Sequence, residues 1–204
     1  MTPAGAALLW SGAIQRLADR AAHEIRSPLN GAALNITVVR SRLERPGIDP
    51  SSLFPFAQAA ADELDRAIAL VEAILALARS ASVPIDLYST LSALVTVTGV
   101  IARSEGGEVS LERTDEEFTQ TSLEGNAVRG ALASALNASV AGSARVQCRI
   151  GHSGERIAIQ ITGGAASGLS EEVSQAIRMA GIGLERESSG TTLLFSRAQA
   201  GRQT

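Results

Sequence analysis

The chain has 204 residues, of which 45% are hydrophobic, 19% charged and 3% aromatic, with a formal net charge of −3. So apolar a composition excludes a disordered chain, and the acidic balance with few rings excludes the basic, ring-lined surface of a nucleic-acid binder. One cysteine, Cys148, and two distant histidines, His23 and His152, leave neither a disulfide framework nor a metal-ligand cluster. The opening "MTPAGAALLW" lacks a basic flank, and no run reaches the roughly 18 apolar residues of a membrane span. A cytoplasmic protein without a membrane partner is expected.

The first 80 residues read as a helical hairpin. Ile14, Leu17, Ala21, Ile25, Pro28, Ala32, Ile36, Val39 and Leu43 recur at spacings of three and four, which places them on one stripe of a long helix. That helix ends at "ERPGIDPSS", where Pro46, Gly47 and Pro50 stop it and Asp49 or Ser51 caps the next. Leu53, Ala57, Ala60, Leu64, Ala67, Val71, Ile74 and Ala78 form the matching stripe of a second, antiparallel helix. Two helices leave much of these stripes wet, so a homodimer closing a four-helix bundle is expected.

Beyond "SVPIDLYSTL" the elements mix. A helix is expected over 85–104, a strand at "EVSLERT", and an alanine- and leucine-rich helix over 124–141. "ARVQCRI" and "RIAIQIT" alternate apolar and polar residues around a turn, "GHSGE", that holds His152. "SEEVSQAIRMAG" is a short helix capped by Ser170 and stopped at Gly181, and "IGLERES" with "TTLLFSR" closes a last hairpin around Ser189 and Gly190. The fold class is α+β: a helical hairpin over 1–82, then a small α/β sandwich over 83–204 with its helices on one face of a largely antiparallel sheet. Trp10, Tyr88 and the four phenylalanines read as packing or contact residues, and Cys148 as a small core residue.

"AAHEIRSPLN", residues 21–30, stands apart. His23 lies two residues from Ile25, about 200° round the helix, and so faces away from the stripe. Arg16, Arg20 and Arg26 fall at i−7, i−3 and i+3, and Ser27 and Asn30 at i+4 and i+7. Donors surround an exposed imidazole on a face that suits a phosphoryl group. A neutral imidazole nitrogen is a nucleophile near pH 7, and Glu24 beside it is a candidate to fix its tautomer or take its proton. Pro28 removes one backbone N–H, frees the Glu24 carbonyl and predicts a bend just below the histidine.

"HEIRSPLN" followed by an apolar stripe, a turn and an antiparallel helix resembles the H-box of the dimerisation and histidine-phosphotransfer domain of two-component histidine kinases, over residues 10–80. The resemblance implies that His23 is the phosphoacceptor, that Glu24 is its acid/base neighbour, and that the dimeric hairpin docks a response regulator. Where those kinases often carry threonine or asparagine, at a position tied to dephosphorylating the regulator, this chain has Ser27.

Residues 83–204 resemble the family's ATP-binding domain in order of elements more than in residues. "ALASALNASVAG" looks like the N-box, with Asn137 at the place of the magnesium-binding asparagine and Ala133 where a second polar residue often stands. After "RIAIQIT", Gly163 stands in place of the aspartate that reads adenine, and the mobile lid is deleted, since "SEEVSQAIRMAG" begins at Ser170. The chain is therefore similar to the dimeric histidine phosphotransferases, which keep the kinase-like hairpin beside a degenerate ATP-binding domain. The resemblance implies transfer of a phosphoryl group between receiver-domain aspartates through His23, without ATP. Arg20, Arg26, Ser27 and Asn30 would contact the phosphoryl group or the receiver, and the receiver would bring the magnesium, so the chain needs no cofactor of its own. A histidine kinase with a minimal ATP site and a dimeric scaffold that transfers nothing are the alternatives.

Overall fold

In the computed structural model, which describes residues 3–79, 85–112, 119–140, 145–163 and 168–198, helix α1 runs from Pro3 to Leu43. Its 41 residues span about 60 Å at 1.5 Å per residue. The helix begins well before the stripe read from the sequence, because the alanine-rich opening continues it and buries Ala6 and Ala13. It is helical through Pro28, whose missing N–H deletes a single bond of the ladder.

A turn with Gly47 at φ +78 leads to a short 3-10 turn, Pro50–Leu53, and then to α2, Phe54–Ala78. Asp49 caps the 3-10 turn: its Oδ2 accepts from Ser51 Oγ and its Oδ1 from the Ser51 amide at 3.0 Å. Both bonds favour the charged carboxylate, with the hydroxyl contributing more, and hold its pKa below the usual range.

The α2 stripe needs correction. Leu53, Ala60 and Ala67 are buried as expected and Ile74 is half-buried, but Ala57, Leu64, Val71 and Ala78 are exposed, and Leu70, Ala73 and Leu77 take the buried places. The helix carries two apolar faces roughly 100° apart. Periodicity alone does not say which of them meets the partner helix of the same chain. On α1, likewise, Ile36 and Leu43 of the expected seam are exposed.

After α2 come β1 (Ile85–Asp86), α3 (Leu87–Ser104), β2 (Glu108–Leu111), β3 (Gln120–Thr121) and α4 (Gly125–Ser139). β4 (Arg145–Ser153), β5 (Arg156–Thr162), α5 (Glu171–Met179), β6 (Gly183–Glu187) and β7 (Gly190–Ser196) complete the chain. Five strands form one sheet in the order β2-β4-β5-β7-β6, in which β2 pairs parallel with β4 and all other pairs are antiparallel. The α+β class holds. A two-residue ladder between β1 and β3 was too short to read from the sequence. Asp86 within it caps α3, accepting from the Tyr88 and Ser89 amides and from Thr119 Oγ1.

The turn expected over "GHSGE" shrinks to Gly154 and Glu155, with Gly154 at φ +60. A two-residue turn with a glycine in the left-handed region matches the twist of the flanking strands. His152 is therefore a strand residue opposite Ile157, with the Arg197 guanidinium at its ring, and not a turn residue.

One face of the sheet supplies Val146, Cys148, Ile150, Ile157, Ile159, Ile161, Leu193 and Phe195 to the core, together with Leu91, Leu94, Leu132 and Leu136 of α3 and α4. Burial pushes the Cys148 thiol up to about 12 from 9.0. Native Cys148 at pH 8 is thus expected to react with a disulfide reagent only as fast as the fold opens. A fast burst of one equivalent would show that the strand is accessible. Between pH 9 and 12 only the unfolded thiol loses its proton, so this group lowers stability as pH rises through that window.

The core does not stop at the hairpin. Ala13, Leu17 and Ala21 of α1 and Leu70 and Leu77 of α2 belong to the same buried cluster as α3, α4 and the sheet. α1 crosses α4 at Gly130, where a Cβ would sit 2.8 Å from Leu9 Cγ and 3.1 Å from the Trp10 amide nitrogen. Next to it, Arg129 donates to the Arg79 carbonyl at 2.5 Å and lies 5.9 Å from the Trp10 ring, and desolvation lowers its pKa. Gly130→Val is expected to cost about 1–3 kcal/mol by overpacking, read as a lower urea midpoint with an unchanged slope. An unchanged midpoint would show that the crossing is looser.

Candidate functional site

His23 is exposed on α1, two residues past the last buried contact of the lower half of the helix at Ala21. Arg16, Asp19, Arg20, Arg26, Ser27 and Asn30 are exposed as well, while Glu24 and Pro28 are half-buried. Helical rise sets Arg20 and Ser27 about one turn on either side of the imidazole. Sequence reasoning passed over Asp19, which sits at i−4 on the same face; the spacing was the available signal. Among the described residues nothing hydrogen-bonds to His23, and Glu24, about 100° round the helix, is not brought to it.

Arg20 forms an ion pair with Glu105, the residue that closes α3, and so ties the histidine-bearing helix to the second layer. Each partner's side chain is 45% exposed, so the pair adds little stability. Arg16 and Arg26 have no ion-pair partner among the described residues.

Asn137 lies near the end of α4, with its Nδ2 buried and without a hydrogen-bond partner among the described residues. A cleft of about 690 Å³ separates this part of α4 from α1. Arg16, Asp19 and Arg20 line one wall, and Ser134, Asn137 and the 168–170 segment line the other. Asn137 thus stands across the cleft from the helix face that carries the histidine. Ala133 is fully buried.

Gly163 does not line this cleft. Its φ is +85, its amide donates to the Ser189 carbonyl at 3.2 Å, and a Cβ there would lie 2.1 Å from the Arg145 carbonyl oxygen. The backbone has no room for an aspartate at that point, so the glycine is demanded by the strand end itself. Among the described residues no group of three or more histidine, cysteine or acidic side chains is placed to hold a metal ion. No described helix is long and apolar enough to cross a membrane.

No family model and no curated protein matches the sequence. Among solved structures the chain is similar to the Acinetobacter baumannii histidine kinase AdeS, at 14% identity over 85% of this chain and 97% of that one, with a TM-score of 0.41. It is similar to a bacterial phosphotransferase at 15% identity, covering 95% of this chain and 97% of that one, with a TM-score of 0.42. The cytoplasmic segment of the histidine kinase QseC gives 20% identity over 76% and 99%, with a TM-score of 0.38.

Proposed function

We propose that this chain is a two-component phosphotransferase that takes a phosphoryl group from a receiver-domain aspartate onto His23 and passes it to another receiver, without using ATP. The observation that carries the proposal is the pairing of an exposed, unencumbered His23 with a strand end at Gly163 that leaves no room for an adenine-reading carboxylate. The covalent step is simple. The lone pair of a neutral imidazole nitrogen attacks phosphorus, the P–O bond to the receiver aspartate breaks, and a P–N bond forms. Such transfer depends on in-line placement and charge stabilisation, and the receiver would bring its own magnesium. Arg26 and Ser27 stand where they would meet the phosphoryl oxygens or the acidic receiver pocket, and Asn30 extends that footing by one turn.

A homodimer belongs to the same proposal. Leu29, Ile36 and Leu43 of α1 are exposed at intervals of seven, and Leu64, Ile68, Val71 and Leu75 of α2 are exposed at intervals of four, three and four. That is the spacing of a coiled-coil seam, and it supports a second copy of the hairpin completing a four-helix bundle.

The test is label incorporation into purified protein from γ-labelled Mg-ATP and, separately, from receiver domains charged with labelled acetyl phosphate. Label from a receiver alone supports the proposal. Label from ATP alone would make the chain a kinase, and label from neither would leave a scaffold. Arg20→Gln is expected to slow transfer about tenfold at low salt, with a smaller effect at high salt, because a charge at the rim acts mainly on encounter. A salt-independent loss would instead place Arg20 against the reacting phosphorus.

A further inference from the structure

We infer that in the dimer the partner's Glu72 pairs with Arg26, so that the ground beside each His23 is completed by the other copy of the chain. This pairing rests on the dimer reading given above. It begins with two exposed charges: neither Arg26 of α1 nor Glu72 of α2 has an ion-pair partner among the described residues. Within one chain they cannot meet, because both lie on the back of the in-chain contact, roughly 150° round each helix from its buried residues.

The exposed seams share one side of the hairpin. On α1 the exposed Leu29, Ile36 and Leu43 lie roughly a quarter-turn beyond the buried Leu17, Ala21 and Ala32, and on α2 the exposed Leu64, Ile68 and Leu75 lie roughly a quarter-turn beyond the buried Ala60, Ala67 and Leu70. In antiparallel helices an equal rotation along the chain leads to the same side. Arg26 and Glu72 each lie a further roughly 60–80° in that sense, so they flank one groove when α1 faces the partner's α2, and His23 stands at its outer edge. Height agrees as well. Gly31 of α1 stands level with Glu63 of α2, whose Cγ would lie 3.4 Å from a Cβ at the glycine. Equal steps from that contact bring Ala22 level with Glu72, and a two-fold along the bundle axis keeps that level in the partner. Arg26 lies one turn from Ala22 toward the hairpin turn. Helical side chains lean toward their own N-terminus, so Arg26 leans to the level of Ala22 and Glu72, on a helix of opposite direction, leans to meet it. Asp65, two turns along α2, leans away.

Charge favours the pairing of unlike helices. α1 carries five arginines against two acidic residues, Asp19 and Glu24, and α2 carries four acidic residues against one arginine, Arg66. α1 beside the partner's α2 brings opposite charges together, whereas α1 beside a second α1 opposes like ones. A carboxylate takes up only part of the guanidinium fork, so Arg26 would be held with its remaining donors free for a phosphoryl group on His23. Glu72 is thus a positioning residue that acts across the interface.

The experiment is subunit complementation in the full chain, at concentrations where light scattering shows dimers. Glu72→Gln is expected to accept phosphoryl groups from a charged receiver about fivefold more slowly, with unchanged helix content. A mixed dimer of Glu72→Gln with His23→Gln should recover the parental rate per competent site, because its one His23 faces the intact Glu72 of the other copy. A mixed dimer of the parent with the double variant His23→Gln, Glu72→Gln should stay slow, because its one His23 faces glutamine. The reverse pattern, or equal rates in the two mixtures, would overturn the assignment. A second measurement needs no phosphoryl group. Arg26→Glu and Glu72→Arg should each weaken the dimer about tenfold by setting like charges across the groove, and the two together should restore it. No restoration in a chain whose parent dimerises would overturn the pairing and leave the phosphotransfer reading untouched, whereas a monomeric parent would overturn the dimer reading and the pairing together. Restoration in a dimer that takes up no label would support the pairing and remove phosphotransfer alone.

Discussion

His23→Gln is expected to abolish phosphoryl acceptance while leaving fold and assembly intact. The imidazole is exposed and bonded to no described residue, so glutamine removes a nucleophile without removing a contact. Surface substitutions of this kind change stability by about 0.5 kcal/mol or less. Transfer, by contrast, has no alternative histidine on that face: Ser27 at i+4 is a hydroxyl without an activating base, and Asp19 at i−4 is a carboxylate, which does not form the acid-labile P–N bond. Labelled receiver should therefore keep its phosphate when mixed with the variant, and the melting temperature should match the parent within a few degrees. Undiminished transfer would remove His23 from the mechanism.

The second large effect concerns assembly. Ile68→Glu is expected to convert a dimer of 21.1 kDa subunits into monomers, because Ile68 is 54% exposed in the single chain at the centre of the Leu64–Leu75 seam. A carboxylate buried without a partner in that seam costs several kcal/mol on each side of a two-fold interface, more than a helical seam of this length recovers elsewhere. The chain itself should keep its helix content, since the in-chain seam through Ala60, Ala67 and Leu70 lies on a separate face roughly 100° round the helix. Light scattering across a dilution series measures this directly. A parent that is monomeric at high concentration would refute the seam, and a variant that stays dimeric would move the interface to another face.

The large divisions of the molecule were legible in the sequence, and its contacts across elements were not. The long helix, its stop before Gly47, the cap at Asp49, the alternating strands and the short helix capped by Ser170 all follow from local rules, although the long helix begins earlier and the first of those strands runs further than the rules place them. The faces of α2 were misassigned because alanine and leucine occur on both sides of it, and only tertiary packing decides which side the chain covers. His152 was set in a turn because glycines at both ends of "GHSGE" look alike in one dimension, although only Gly154 is at positive φ.

For the site, the face around His23 could be read from spacing alone, because a helix fixes it. Three features lay beyond such reading. The Arg20–Glu105 pair joins residues 85 positions apart, the cleft beside Asn137 needs α1 for its second wall, and the steric block at Gly163 comes from the Arg145 carbonyl of the neighbouring strand. In each case the decisive partner is distant in sequence, and no periodic pattern carries it.

The central claim is that the phosphoryl group resides on His23 and arrives from a receiver. The most direct measurement is to charge a panel of receiver domains with acetyl phosphate, incubate each with this protein free of nucleotide, and map the phosphorylated peptide by mass spectrometry at neutral to alkaline pH. The account predicts an acid-labile phosphate on His23 from at least one receiver and none from Mg-ATP in its place. Phosphate on His23 from Mg-ATP alone, or on another residue with His23 unmodified, would contradict it.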